Sequence, residues 1–222
     1  MTFKITSFSD ESWPREAANL LAPLIGSARS FVITGGGTAE MLYPELVRSG
    51  VTLAGKQVFF SDERCVPPDD EHSNYGLARR TLLDPAGADA VHRMRGEDPP
   101  LQAANAYHDE VLALADGFDL MLLGMGEDNH IAACFPHSPA FNEEERLCLP
   151  VDRPDGLKGL TLTPPALLRA RRVFIIVTGA GKAEAIDLAV NERKEPFDCP
   201  ARLFADHADT TFLIDESAAG RL

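Results

Sequence analysis

Residues 118–139 read FDLMLLGMGEDNHIAACFPHSP, and their reading decides the kind of fold the chain adopts. Leu120, Met121, Leu122 and Leu123 form an apolar run long enough for one strand covered on both faces, since a half-buried strand would alternate apolar with polar residues. The run ends at Gly124 and Gly126, and Glu127, Asp128, Asn129 and His130 follow at once. Titratable groups thus sit at the tip of a buried strand. In open α/β sheets ligands lie outside the carboxyl ends of the strands, so this loop is a candidate site. The same residues also suit a polar turn between a strand and a helix, with His130 an ordinary loop histidine.

Working outward, the same pattern recurs. Residues 3–8 alternate like a short edge strand, Ser9 and Asp10 offer an N-cap, and 11–25 looks helical with Pro14 in its first turn. SFVIT at 30–34 is a second strand, followed by Gly35, Gly36, Gly37 and Thr38 and a helix through Met41, Leu42, Leu46 and Val47. QVFF at 57–60 is a third and runs into Ser61, Asp62, Glu63 and Arg64. VPPDD at 66–70 is loop, and Ser73 caps a helix with apolar positions Leu77, Leu82 and Leu83. Residues 91–94 suit a short strand and 101–115 an amphipathic helix. Residues 160–163 are extended, and Pro164 and Pro165 start a brief helix. VFIIVT at 173–178 is a β-branched strand ending in Gly179, Ala180, Gly181 and Lys182, with a helix over 183–190 and a last strand over 210–214. Alternating strands and helices with buried strand runs predict an α/β fold, its mainly parallel sheet carrying helices on both faces. With no linker, repeat or low-complexity stretch, one domain over 1–222 is expected.

Composition bounds the partners. Of the 222 residues, 45% are hydrophobic and 25% charged, ordinary values that give a class and no function. The formal net charge of -13 argues against nucleic acid and against anionic membrane surfaces, both of which call for surplus Lys and Arg. An anionic ligand would be repelled by the overall field and must be held by local cations and aimed backbone N–H groups. The N-terminus has no basic start followed by an apolar core, and no run of 18 apolar residues occurs, so a cytoplasmic protein is expected. Cys65, Cys134, Cys148 and Cys199 show no CxxC spacing, which predicts neither disulfides nor a structural metal.

Three loops could carry chemistry. The Gly35-Gly36-Gly37-Thr38 loop has Glu40 where the dinucleotide fingerprint needs its third glycine, which argues against nicotinamide and flavin and for a small phosphate at a helix start, a tight turn with no ligand being the alternative. In Gly179-Ala180-Gly181-Lys182, Ile176 stands where the first glycine of a nucleotide P-loop would be, and Ala183 replaces the magnesium-binding Ser/Thr. A lysine at a helix start is electrostatically unfavourable unless an anion lies between the two, although a solvated surface lysine remains the alternative. Asp128 and His130, two apart, allow the carboxylate to fix the ring tautomer and leave the other nitrogen as a base. His130, His137 and Asp128 match no standard metal-ligand spacing, and no Gly-x-Ser-x-Gly elbow is present. The residues describe a small anionic substrate and one histidine base.

Taken together the loops resemble the 6-phosphogluconolactonase family, within the wider group that includes glucosamine-6-phosphate deaminase. The resemblance rests on GGGT at 35–38, SDERCVP at 61–67, SNYG at 73–76, LLGMGEDNH at 122–130 with Phe135-Pro136, TLT at 161–163 and GAGKAEAI at 179–186, and spans nearly the whole chain. It implies a single modified Rossmann-like domain, no metal and no cofactor. The implied reaction is hydrolysis of the sugar-phosphate lactone 6-phospho-D-glucono-1,5-lactone to 6-phosphogluconate in the pentose phosphate pathway, by a monomer or homodimer. By matching position, His130 resembles the general base, with Asp128 beside it. Arg64 and Lys182 resemble phosphate or carboxylate partners. Gly35, Gly36, Gly37 and Thr38 resemble part of the sugar-phosphate cradle, and Asp62, Asn74 and Gly126 resemble further substrate-binding positions.

Three positions depart from the family pattern. Asn129 replaces the usual glycine between Asp and His, a turn Asn can still make because it tolerates positive φ, although its side chain adds bulk beside the base. Ile131-Ala132-Ala133-Cys134 lacks two hydroxyls of the usual Thr-Ala-Ser segment. Gly159 stands where the family commonly has an arginine, leaving Lys158 as a partial substitute for a bidentate guanidinium. His130-Ile131-Ala132 is similar to the deaminases' His-Ile-Ala, but they have Asp-Glu-Tyr where this chain has Asp62-Glu63-Arg64, and Asn-Glu-Pro where it has Phe135-Pro136. A non-catalytic sugar-phosphate-binding module would keep the cations and lose the base.

Overall fold

A computed structural model, which describes residues 3–114, 116–192 and 194–222, makes the apolar run at 120–123 part of the central strand of a seven-stranded sheet. In chain order the strands are β1 (Lys4–Phe8), β2 (Ser30–Ile33), β3 (Gln57–Phe60), β4 (Asp62–Arg64), β5 (Ala90–His92), β6 (Leu120–Gly124), β7 (Cys148–Asp152), β8 (Lys158–Leu162), β9 (Val173–Val177) and β10 (Thr210–Asp215). The α-helices are α1 (Trp13–Ser27), α2 (Gly37–Arg48), α3 (Asn74–Ala78), α4 (Pro100–Leu112), α5 (Pro164–Leu167) and α6 (Ala183–Asn191). The main sheet runs β1-β10-β9-β6-β2-β3-β5, with every neighbouring pair parallel.

Successive strand residues point to opposite faces and so enter two separate cores. Val32, Phe59, Met121, Leu123 and Ile175 pack with α4 and α6, whereas Phe31, Ile33, Val58, Leu122 and Ile176 pack with α1 and α2. Burial on both faces is why these strands read as unbroken apolar runs. The strand order also sets where a ligand can sit. From β2 the chain moves outward through β3 and β5, then returns to β6 on the other side of β2 and moves outward through β9 and β10. The connections leaving β2 and β6 therefore diverge, opening a crevice at their carboxyl ends.

Two buried tyrosines fasten the sheet just below that crevice. The Tyr43 hydroxyl, from α2, accepts from Thr34 N at 3.1 Å and donates to Thr34 O. The Tyr107 hydroxyl, from α4, accepts from Phe60 N at 2.7 Å and donates to Phe60 O at 2.9 Å. Burial pushes both phenols up, so they stay neutral donors.

Several elements differ from the sequence reading. A second, antiparallel sheet, β4-β8-β7, was not foreseen; it pairs Asp62 with Thr161, Arg64 with Gly159 and Val151 with Gly159. Its strands carry no clean period, since β4 is DER and β7 is CLPVD with a proline inside. Helix α1 starts at Trp13, and Asp10, expected to help cap it, instead accepts from Ser217 N at 2.8 Å and from the Ser217 hydroxyl at 2.6 Å. Beyond Ser73, whose hydroxyl caps α3 by accepting from Gly76 N at 3.0 Å, the helix widens into a π-turn over Arg79–Leu83. Helix α4 ends at Leu112, and the expected end at Ala115 lies outside the described residues. All four cysteines are free thiols. Among the described residues no helix is long and apolar enough to cross a membrane.

Candidate active site

Four adjacent strands, β9, β6, β2 and β3, lead at their carboxyl ends into one cleft of about 150 Å³. After β2 come Gly35, Gly36, Gly37 and Thr38, after β3 come Asp62 and Arg64, after β6 come Gly126 and His130, and after β9 comes Lys182. Asn74, at the start of α3, completes the set of sequence candidates on the cleft wall. Asp128 stands behind His130 and reaches the cleft through it. His137 lies elsewhere, 3.5 Å from the carboxylate of Asp198. A larger cleft of about 380 Å³ opens at the other end of the strands, but the charges on it, among them Arg29, Asp119, Arg172 and Asp209, are already paired with one another or with neighbours.

The geometry around His130 follows from a tight turn. Asn129 N donates to Gly126 O at 3.1 Å and Gly126 N donates to His130 O at 2.9 Å, which folds the ring back toward the strand end. Asp128 Oδ1 then lies 2.6 Å from Nδ1 of His130 and also accepts from its backbone N–H at 3.1 Å. With Nδ1–H donating to the carboxylate, Nε2 has no protein partner among the described residues and is free to take a proton. Burial alone would raise the Asp128 carboxyl, but the hydrogen bond and charge of His130 outweigh it and hold the carboxyl below its ordinary range. Phe135 packs beside the imidazole at 4.6 Å between ring centroids.

Asn129 makes the left-handed turn expected of it, with φ of 69°. Its side chain does not crowd the base. Only 5% of the residue is exposed, and its Oδ1 accepts from the Cys199 thiol at 3.4 Å, away from the cleft. The hydroxyl-poor segment that follows is tied to β8 instead: Thr161 Oγ1 accepts from Ala133 N at 3.0 Å, and the Cys134 thiol donates to Leu162 O at 3.4 Å.

On the opposite wall, Arg64 Nη1 donates to His72 O and to Asn74 Oδ1, each at 2.7 Å, while its Nε is buried without a partner among the described residues. Asn74 Nδ2 in turn donates to Asp62 O at 2.9 Å and Asp62 Oδ2 at 3.2 Å. A Cβ on Gly35 would lie 1.8 Å from Asn74 Oδ1, so the glycine makes room for this amide. Glu63, to which the sequence assigns no role of its own, organises the wall. Its carboxylate accepts from Arg64 N, Asn74 N, Tyr75 N and the Ser73 hydroxyl at 2.7–3.1 Å. Burial pushes the Glu63 carboxyl up, and the backbone N–H donors offset part of that.

Lys182 closes the third side, directly before α6, and its ammonium donates to Met125 O. Burial lowers its pKa, opposed by the charges of Glu127 and Asp128. One expectation about cations needs correction. Lys158 is exposed, paired with Asp152 and absent from the cleft, so it does not substitute for the arginine missing at 159. Arg153, which the sequence reading passed over, does line the cleft.

A glycine-lined helix start, clustered cations and a histidine–carboxylate pair meet at a topological switch point of an α/β sheet, the place where such folds bind ligands. The family profile described as Glucosamine-6-phosphate isomerases/6-phosphogluconolactonase matches residues 16–213, and the chain belongs to that family. It is 37% identical over 209 residues to the 6-phosphogluconolactonase of Mycobacterium tuberculosis, covering 86% of this chain and 84% of that protein. Among solved structures, the 6-phosphogluconolactonase of Trypanosoma cruzi superposes with a TM-score of 0.87 at 26% identity, over 100% of this chain and 98% of that one. A monomeric glucosamine-6-phosphate deaminase shares the fold equally well, with a TM-score of 0.89 at 22% identity over 99% and 100% of the two chains.

Proposed function

We propose that this protein is a 6-phosphogluconolactonase of the pentose phosphate pathway, hydrolysing 6-phospho-D-glucono-1,5-lactone to 6-phosphogluconate with His130 as general base. The observation that carries the reading is the free Nε2 of His130, oriented by Asp128 beside a cleft walled by cations. The 6-phosphate is held by Arg64 and Lys182 together with the N–H groups that begin α2, whose residues all line the cleft. His130 takes a proton from water as its oxygen bonds to the lactone carbonyl carbon. The tetrahedral intermediate collapses with cleavage of the ring C–O bond, and His130 returns the proton to the departing ring oxygen. The new carboxyl group ionises, so one proton is released per turnover. A lactone is an activated ester, and a positioned base supplies roughly 10²–10⁴-fold. We further place this work in one domain, in the cytoplasm, as a monomer or homodimer.

Acid release from freshly prepared lactone is the test. A rate above spontaneous opening that falls by about 10² or more in His130→Ala is expected. A parent rate equal to the spontaneous one overturns the enzyme reading, and an undiminished His130→Ala overturns the base. The shared fold of the deaminase makes ammonia release from glucosamine 6-phosphate the necessary control.

A further inference from the structure

The turn between β7 and β8 places a guanidinium in the cleft that nothing in the sequence pattern marked. Arg153 N donates to Leu157 O at 3.1 Å, closing the turn, and only 9% of the Arg153 side chain is exposed. Its stem runs across Gly159: a Cβ built there would lie 3.0 Å from Arg153 Cδ and 3.3 Å from Cγ. Any side chain at 159 would compete with Arg153 for that space. The head of the residue is only partly engaged. Nε donates to Asp155 at 3.0 Å, and the group lies 5.6 Å from the centre of the Phe135 ring. Nη1 is 3.8 Å from Asp62 Oδ2, beyond hydrogen-bond distance, and neither Nη donates a hydrogen bond among the described residues.

We propose that Arg153 binds the anionic group of the substrate, occupying with its own guanidinium the place that a residue at 159 would otherwise fill. An arginine head fixed on one side by Asp155 and Phe135, with its Nη donors unspent, is pre-organised for two parallel hydrogen bonds to a phosphate or carboxylate. Asp62 limits the attraction to ligands that bring more negative charge than it does, which favours a phosphate dianion over a neutral sugar. The inference rests on the cleft being a sugar-phosphate site.

The experiment is steady-state hydrolysis of 6-phosphogluconolactone by Arg153→Ala and by Arg153→Ala combined with Gly159→Arg, with thermal unfolding to verify that each variant is folded. Arg153→Ala should raise KM by about 10- to 100-fold, as expected for a lost charged hydrogen bond, with kcat changed far less. Gly159→Arg should restore much of the KM in that background, yet raise KM in the parent, where Arg153 already fills the space. A KM within about threefold of the parent overturns the binding role. A raised KM that Gly159→Arg leaves unmoved overturns the exchange between the two positions. If the parent turns over no lactone, the proposed reaction fails by itself. Calorimetric binding of inorganic phosphate then decides about Arg153: weaker binding in Arg153→Ala upholds the proposal, and equal binding overturns it.

Discussion

A Cβ on Gly126 would sit 2.0 Å from Nδ1 of His130 and 2.4 Å from Oδ1 of Asp128. The glycine is therefore the space in which the histidine–carboxylate pair is made. Gly126→Ala should push the imidazole out of register and cut kcat by about 10² or more while the protein remains folded. Lactone hydrolysis alongside circular dichroism separates this from general unfolding; a kcat near that of the parent would show that the ring tolerates displacement.

Asp128→Asn keeps the shape of the pair and removes its charge. The expected result is a kcat loss approaching the roughly 10²–10⁴-fold contributed by a positioned base, because an amide no longer selects the productive tautomer. The same variant has a signed effect on stability. The folded carboxyl lies below its unfolded value of about 3.9, so its stabilisation is present above that pH and is lost as pH falls through the folded value. Denaturant unfolding should show a gap between parent and variant at neutral pH that closes below about pH 4.

Lys182 must be protonated to hold an anion, and burial has lowered its pKa from the ordinary lysine range. Binding of 6-phosphogluconate should therefore weaken with rising pH below about 10.4, where an unperturbed lysine would lose its proton. Lys182→Arg, charged at every accessible pH, should remove that alkaline limb. Calorimetry across the alkaline range reads both, and a limb unmoved in Lys182→Arg assigns the titration to another group.

Because Asn129 already holds positive φ and directs its amide toward Cys199, Asn129→Gly should leave kcat within about threefold of the parent. A tenfold or larger change would mean that the Cys199 contact shapes the loop.

Legibility in the sequence followed burial. Strands β3, β6 and β9 could be read because covering on both faces leaves a continuous apolar run, and the glycines after β2, β6 and β9 marked where the chain turns at the site. Asp128, His130 and Lys182 were readable for the same reason: they follow directly from such ends. What escaped depends on register between distant segments. Arg153 enters the cleft only because β7 pairs with β8 and β8 with β4, and nothing local to CLPVD or DER announces either pairing. Glu63 was visible as a charge, but its role exists only once Ser73, Asn74 and Tyr75 are folded against it.

The tyrosine clamps carry one more implication. Tyr43 and Tyr107 come from opposite helix layers, yet they grip neighbouring strand ends at Thr34 and Phe60. Each half of the molecule thus contributes its own anchor to a common floor, and the loops above it are free to diversify without disturbing that floor. The proposed exchange of an arginine on β8 for one on the β7–β8 turn would be diversification of this kind: the foundation stays constant while the group offered to the ligand comes from a different part of the chain.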